Sequence, residues 1–200
     1  MDDLYFHLSQ VEQAQRLVKA HHYSRRWPSN VQVVGTWHRP GGLFGDAGDI
    51  VAACVFTIPP TRWSEDVWEL ARLVRKEEPC PPLSGLISQT CRWAKRQGAH
   101  LLVSFADETH NHHGGVYRAA SWCYDGLRSR RMDGLTVDGQ FIPGRTANHI
   151  WGTQSPTRLK QRGIEAKPHY DEGKHLYWRA LTREGQKRAS RLALKKEQWI

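Results

Sequence analysis

The sequence predicts a mixed α/β fold: a partly antiparallel sheet flanked by helices, with a basic C-terminal extension. Three observations carry this. Residues 49–58 (DIVAACVFTI) and 99–105 (AHLLVSF) are apolar and β-branched over strand-like lengths, as buried strands are. Two other stretches, one after Ser9 and one from Ser84, space their apolar residues as amphipathic helices do. The strands come first as a run and then alternate with helices, the order of a meander that passes into parallel crossovers. With 200 residues, the chain can bury a core without metal or disulfide staples.

Taken in order, residues 4–8 form a short first strand. Ser9 with Glu12 is a capping-box pattern, and Val11, Ala14, Leu17 and Val18 share one face of a helix ending near His22. HHYSRRWPSN follows as a polar, aromatic loop closed by Pro28. Residues 31–37 form a strand, HRPGGLFGDAGD a glycine-rich turn, and residues 49–58 a buried strand stopped by Pro59 and Pro60. VWELARLVR (67–75) reads as a strand from its β-branched ends and its place after two others. Ser84 caps a helix running to about Gln97, with Gly98 as its C-cap. Residues 99–105 are a strand ending at Ala106-Asp107, and Gly114 or Gly115 opens a short helix, VYRAASW. A strand pair around residues 128–137 and 140–143 turns at Asp138-Gly139, a favoured hairpin dipeptide. A basic loop, a strand at 175–180 and a helix from about Thr182 complete the chain. Residues 1–152 are expected to form the core and 153–200 an extension packed on it.

The net charge is +9 and the isoelectric point about 9.7, which favours polyanionic partners. From Thr153 to Ile200 there are twelve Lys/Arg against five Asp/Glu. Trp151, Tyr170, Tyr177, Trp178 and Trp199 interleave with them, as in surfaces that hold bases and phosphates; a solvated C-terminal helix is the plainer reading. Cys54, Cys80, Cys91 and Cys123 form no CxxC pair, which argues against a zinc knuckle and for free thiols. The N-terminus is polar and acidic, and no apolar run approaches the roughly 20 residues of a membrane span. A cytoplasmic protein without a membrane partner is expected.

Three constellations carry chemistry. In Asp107–His113 (DETHNHH), three histidines and two carboxylates follow directly on an apolar strand, where open α/β sheets place their ligand sites. They could hold a metal, and a two-histidine, one-carboxylate set leaves sites open for substrate and suits non-haem Fe(II); exposed histidines in a hydrophilic loop are the competing reading. Asp107, at the strand mouth, can act as base, metal ligand or amine acceptor, and Tyr117 lies on the first turn of the next helix. In HHYSRRWP (21–28), imidazole, phenol, guanidinium and indole together suit base stacking or acid/base work; an ordinary loop with Trp27 covering the core edge suits them equally. In Glu69–Leu73 (ELARL), strand alternation puts Glu69, Ala71 and Leu73 on one face and Leu70 and Arg72 on the other. Arg72 in an apolar strand needs a partner such as Asp107 or a ligand phosphate, unless the strand is an edge in water.

The element order is that of an acyltransferase of the GNAT kind, in which the fourth and fifth strands splay apart to admit a cofactor. HHYS, ELARL, the Ser84 helix start, SFADETHNHHGGVYRAASW and GKHLYW (173–178), in this order, resemble the bacteriophage Mom family of DNA-modification proteins. The resemblance implies a GNAT-like fold and conversion of DNA adenine to a carbamoylmethyl derivative on its exocyclic amine, which shields DNA from restriction. It implies important roles for His22, Tyr23, Arg72, Ser84, Asp107 and Tyr117, with Arg72 and Ser84 holding the donor and His22, Asp107 and Tyr117 around a possible iron, Fe(II). The Gly-rich pyrophosphate loop of acetyl-CoA enzymes is absent, with KEEPCPP (76–82) in its place, so the donor is acetyl-CoA or another molecule. Double-stranded DNA with a flipped adenine is the expected partner, with Arg25, Arg26, Trp27, Arg158, Lys160 and Arg162 as its contacts. Two competing expectations are a conventional acetyl-CoA-dependent N-acetyltransferase and a non-catalytic DNA-binding protein.

Overall fold

The computed structural model describes residues 5–8, 11–39, 48–59, 63, 66–76, 82–107 and 114–198. Ser9, Cys80, His110, His112, His113, Trp199 and most of KEEPCPP lie outside the described residues. Strands β1 (Tyr5–Leu8), β2 (Val31–His38), β3 (Ile50–Thr57) and β4 (Val67–Arg75) form an antiparallel meander. β5 (Leu101–Asp107) joins β4 in parallel. β10 (Lys174–Ala180) and β6 (Cys123–Arg128) complete one seven-stranded sheet in the order β1-β2-β3-β4-β5-β10-β6.

β3 is apolar from Ile50 to Phe56 because both of its faces are covered; all eight of its residues are buried. Helix α1 (Val11–His21) sets Ala14, Leu17 and Val18 against Val34, Ile50, Ala53, Val55 and Val74, with Trp27 and Val31 packed at the edge. Helix α2 (Leu83–Arg96) lies against β2 and β3 and buries Leu86, Ile87, Thr90, Cys91 and Ala94. Helix α3 (Gly115–Ala119) follows β5, and α6 (Arg183–Arg191) closes the chain behind Thr182, whose side chain accepts from the Gly185 N–H at 3.1 Å. Among the described residues no helix is long and apolar enough to cross a membrane.

The chain divides into two units: residues 1–105, 114–126 and 176–200 form the first, and residues 106–113 and 127–175 the second. The second unit has its own sheet, β8-β7-β9, from β7 (Met132–Val137), β8 (Gln140–Pro143) and β9 (Lys167–Tyr170). The Asp138-Gly139 turn forms as expected, with φ of 50° and 77°. Helices α4 (Gly144–Trp151) and α5 (Pro156–Lys160) supply Ala147 and Leu159 to a small core around Leu135. Thus α4, α5 and β9 stand where a basic loop was expected. Their short spans and mostly exposed residues leave little periodicity to read. β6 was also missed: the expected strand began near Arg128, whereas β6 ends there and holds Gly126 within it at φ 108°. The basic C-terminal quarter is shared, with residues 153–175 in the second unit and 176–200 in the first.

Candidate active site

In the first unit, the β4–β5 ladder runs for only three pairs, Val67–Leu101, Trp68–Leu102 and Glu69–Val103. Beyond it the strands part, although β4 continues to Arg75. The next residue on each side explains how the opening is held. Ser104 Oγ donates to the Leu70 carbonyl at 2.9 Å, a side-chain bond where the backbone ladder stops. That hydroxyl has one proton, so its 2.7 Å bond to Tyr117 Oη has the tyrosine as donor. The Tyr117 ring stacks on Tyr177 at 4.7 Å and 16°. Burial pushes its phenol well above the ordinary tyrosine range, against the opposing pull of the Ser104 bond, so it stays protonated. Gly114 is required here: its φ is 73°, and a Cβ at this position would meet the Tyr177 hydroxyl.

β4 carries a bulge at Ala71, because Leu70 pairs with Phe56 while Arg72 pairs with the adjacent Val55. The extra residue reverses the alternation. Leu70 and Arg72 therefore face opposite sides, and Glu69 and Arg72 share one, which corrects the expected pattern. Arg72 lies on an interior strand. Its Nε donates to the Arg26 carbonyl at 2.9 Å and its Nη1 to the Ala71 carbonyl at 2.6 Å, so backbone oxygens are among its partners and the His22 loop is tied to β4.

In that loop His22 is buried, and its Nδ1 accepts from the Ser24 backbone N–H at 3.1 Å. The same nitrogen lies 2.9 Å from Ser24 Oγ, so Ser24 holds this edge of the ring. Tyr23 is 47% exposed and lies on the His22 ring, with centroids 4.3 Å apart. Arg25 and Arg26 are exposed, whereas Trp27 packs on the α1 core. Ser84 stands inside the first turn of α2; the N-cap is Pro82, so Ser84 is not the cap.

In the second unit, Asp107 is the buried last residue of β5, and Lys174 Nζ lies 3.5 Å from its Oδ2. Lys174 was not singled out from the sequence; the only signal was its place in GKHLYW. Arg158, Lys160 and Arg162 are exposed in this unit, and Arg162 Nη1 donates to the Trp151 carbonyl at 2.7 Å.

A model of the Mom protein family matches residues 3–198. The chain belongs to the Mom family. No curated protein matches it. Among solved structures, this Mom-family chain is similar to a Bacillus subtilis acetyltransferase in complex with CoA, at 11% identity over 90% of this chain and 100% of that one, TM-score 0.51. It is also similar to yncA from Salmonella typhimurium, a proposed acetyltransferase solved with its cofactor acetyl-CoA, at 8% identity over 90% and 95%, TM-score 0.53. An N-acetyltransferase from Staphylococcus aureus Mu50 matches at 10% identity over 90% and 99%, TM-score 0.53. These likenesses show the GNAT acetyltransferase fold.

The hydrogen bonding of Tyr117 does not fit the iron-ligand set that the Mom resemblance implied. Tyr117 holds its proton toward Ser104. Among the described residues, no three His, Cys, Asp or Glu side chains gather to hold a metal. Two of the aromatics expected on a base-binding C-terminal surface are core residues of this Mom protein: Tyr177 and Trp178 are buried. On α6, Lys187 and Arg191 pair with Glu184, and Arg188 pairs with Asp66.

Proposed function

We propose that this Mom-family protein is a DNA-modifying transferase that places a carbamoylmethyl group on the exocyclic amine of adenine, shielding DNA from restriction in the host cytoplasm. The supporting observation is the β4–β5 opening, propped by Ser104 and headed by the Tyr117 hydroxyl, in a chain of this family. The target adenine is flipped out of double-stranded DNA, because its amine is paired in the duplex. Tyr23, exposed and backed by His22, stacks on it. Asp107 accepts the proton released from the amine, and Lys174 orients that carboxylate. The Tyr117 hydroxyl meets the donor in the opening, and Arg72 acts by fixing the His22–Arg26 loop. Ser84, in the first turn of α2, is assigned to the donor, and Arg25, Arg26, Arg158, Lys160 and Arg162 to phosphates.

The product limits the donor. A carbamoylmethyl group joins nitrogen through a CH2 carbon and ends in an amide. Acetyl transfer would leave N–CO–CH3, with the wrong carbon attached and no amide nitrogen. The two neighbours described with CoA and acetyl-CoA show what this fold can admit, but an acetyl group alone does not supply the atoms. The test is a plasmid co-expressed with the protein, digested to nucleosides and weighed by mass spectrometry. Wild type is expected to yield carbamoylmethyl-adenine, Asp107→Ala none above background, and Lys174→Gln a reduced amount. Undiminished product from Asp107→Ala removes Asp107 from the mechanism.

The opened strands and the acetyltransferase fold also favour a second reading, an acetyl-CoA-dependent N-acetyltransferase. Micromolar acetyl-CoA binding by calorimetry, with product on peptides and none on DNA, would select it.

A further inference from the structure

We propose that the outer face of the β8-β7-β9 sheet is a DNA-contact platform on which Phe141 stacks a base and Lys167 holds an adjacent phosphate. The proposal rests on the reading of the substrate as DNA. It begins with the register. Directly opposed residues of an antiparallel pair share a face. Leu135 and Ile142 are such a pair, and both pack into the small core with Ala147 and Leu159 from the helices. The alternate set therefore faces away from that core. Thr136 is flanked there by Phe141 on β8 and Lys167 on β9, and Gly134 by Pro143 and His169.

Phe141 is 50% exposed, and all four residues of β9 are exposed. Its ring reaches diagonally over Gly134, where a Cβ would stand 2.5 Å from its Cε2. The glycine thus makes the bed on which the ring lies. The His169 ring meets it edge-on, with centroids 4.8 Å apart at 61°, and is fixed by a 2.7 Å bond to Asp133. A single exposed phenylalanine is ordinary. A phenylalanine laid on a glycine, braced by an imidazole and set across β7 from Lys167 on the exposed edge strand β9, is a stacking surface.

The charge of the segment that builds this sheet and its two helices names the occupant. Residues 127–175 carry nine Lys/Arg against five Asp/Glu. A polyanion with exposed π faces complements both features, and a base extruded from a duplex leaves its neighbours unstacked.

The test uses the full chain and fluorescence anisotropy with a labelled duplex containing one unpaired position, alongside a single strand of the same length. Phe141→Leu keeps apolar bulk over Gly134 but removes the π face; affinity is expected to fall about tenfold, while Phe141→Trp retains it. Lys167→Gln is expected to weaken binding several-fold and to reduce the salt slope by about one. Thermal melts report folding; if Phe141→Leu melts early, Phe141→Trp and Lys167→Gln decide. Phe141→Leu and Lys167→Gln proteins that both bind like wild type at every salt concentration overturn the platform, and if wild type still modifies DNA, the proposed function stands without it. A wild type that binds through Phe141 and Lys167 yet leaves DNA unmodified supports the platform and removes the proposed function.

Discussion

The two sheets treat their side chains in opposite ways. In the larger, β3 buries all eight residues; in the smaller, β9 exposes all four. Polar groups inside the large sheet must find protein partners, as Ser104 does in the Leu70 carbonyl and Tyr117, because an unpaired buried group is costly. Polar groups on β9 of the small sheet meet water even where one is paired, as His169 is with Asp133, so that strand stays open to a partner. Chemistry that needs fixed protons belongs with the first arrangement, and recognition of a large polyanion with the second.

The largest effect is expected where the small sheet has its one fully buried anchor. Leu135→Ala removes the centre of a core of three fully buried residues and should cost about 3 kcal/mol. Amide exchange should then lose protection in β7, β8 and β9 while β3 stays protected. Equal loss in both sheets would show that the two units unfold as one. Next is Gly114→Ala in the first unit, which combines a left-handed backbone with a Cβ in the space of the Tyr177 hydroxyl. A cost of about 2 kcal/mol is expected, read as a Tm fall of several degrees.

The same contrast explains what the sequence revealed. The large sheet was legible because burial on both faces leaves continuous apolar runs such as IVAACVF, and turn residues bound them. The bulge at Ala71 was not legible, since ELARL alternates perfectly well without it; only pairing with Val55 and Phe56 exposes the extra residue. Asp107 and Tyr117 could be named from strand-mouth position and family spacing. Ser104 and Lys174 could not, because each matters through a partner distant in sequence. The small sheet hid for another reason. Its strands are short, and β9 (KPHY) has no buried residue to set a period.

A smaller effect on stability, with a larger one on activity, is expected from Tyr117→Phe. Ser104 keeps its bond to Leu70, so only the donated hydrogen bond is lost, at about 1 kcal/mol. Nucleoside mass spectrometry should show modified adenine reduced at least about tenfold, since each 1.36 kcal/mol of barrier is tenfold in rate. A variant with full activity would confine Tyr117 to packing against Tyr177.

The smallest effect is a pH response confined to the large sheet. His38 is buried on β2, with Nε2 2.9 Å from Thr36 Oγ1 and Nδ1 3.0 Å from the Gly48 carbonyl. Thr36 Oγ1 donates to the His7 carbonyl at 3.1 Å, so its oxygen can only accept from His38. Making all three bonds at once requires both ring nitrogens protonated. Burial opposes that charge and lowers the pKa from 6.5, with the Gly48 bond pulling it back up and neighbouring His7 lowering it further. Between the folded value and 6.5 the unfolded chain binds more protons, so stability rises with pH in that window. The contribution is complete above pH 6.5 and is lost as pH falls below it. Tm should therefore drop from pH 7 to 5 by more in wild type than in His38→Gln, and amide protection in β2 should follow pH more closely than protection in β7. Identical pH profiles for the two proteins would take His38 out of the account.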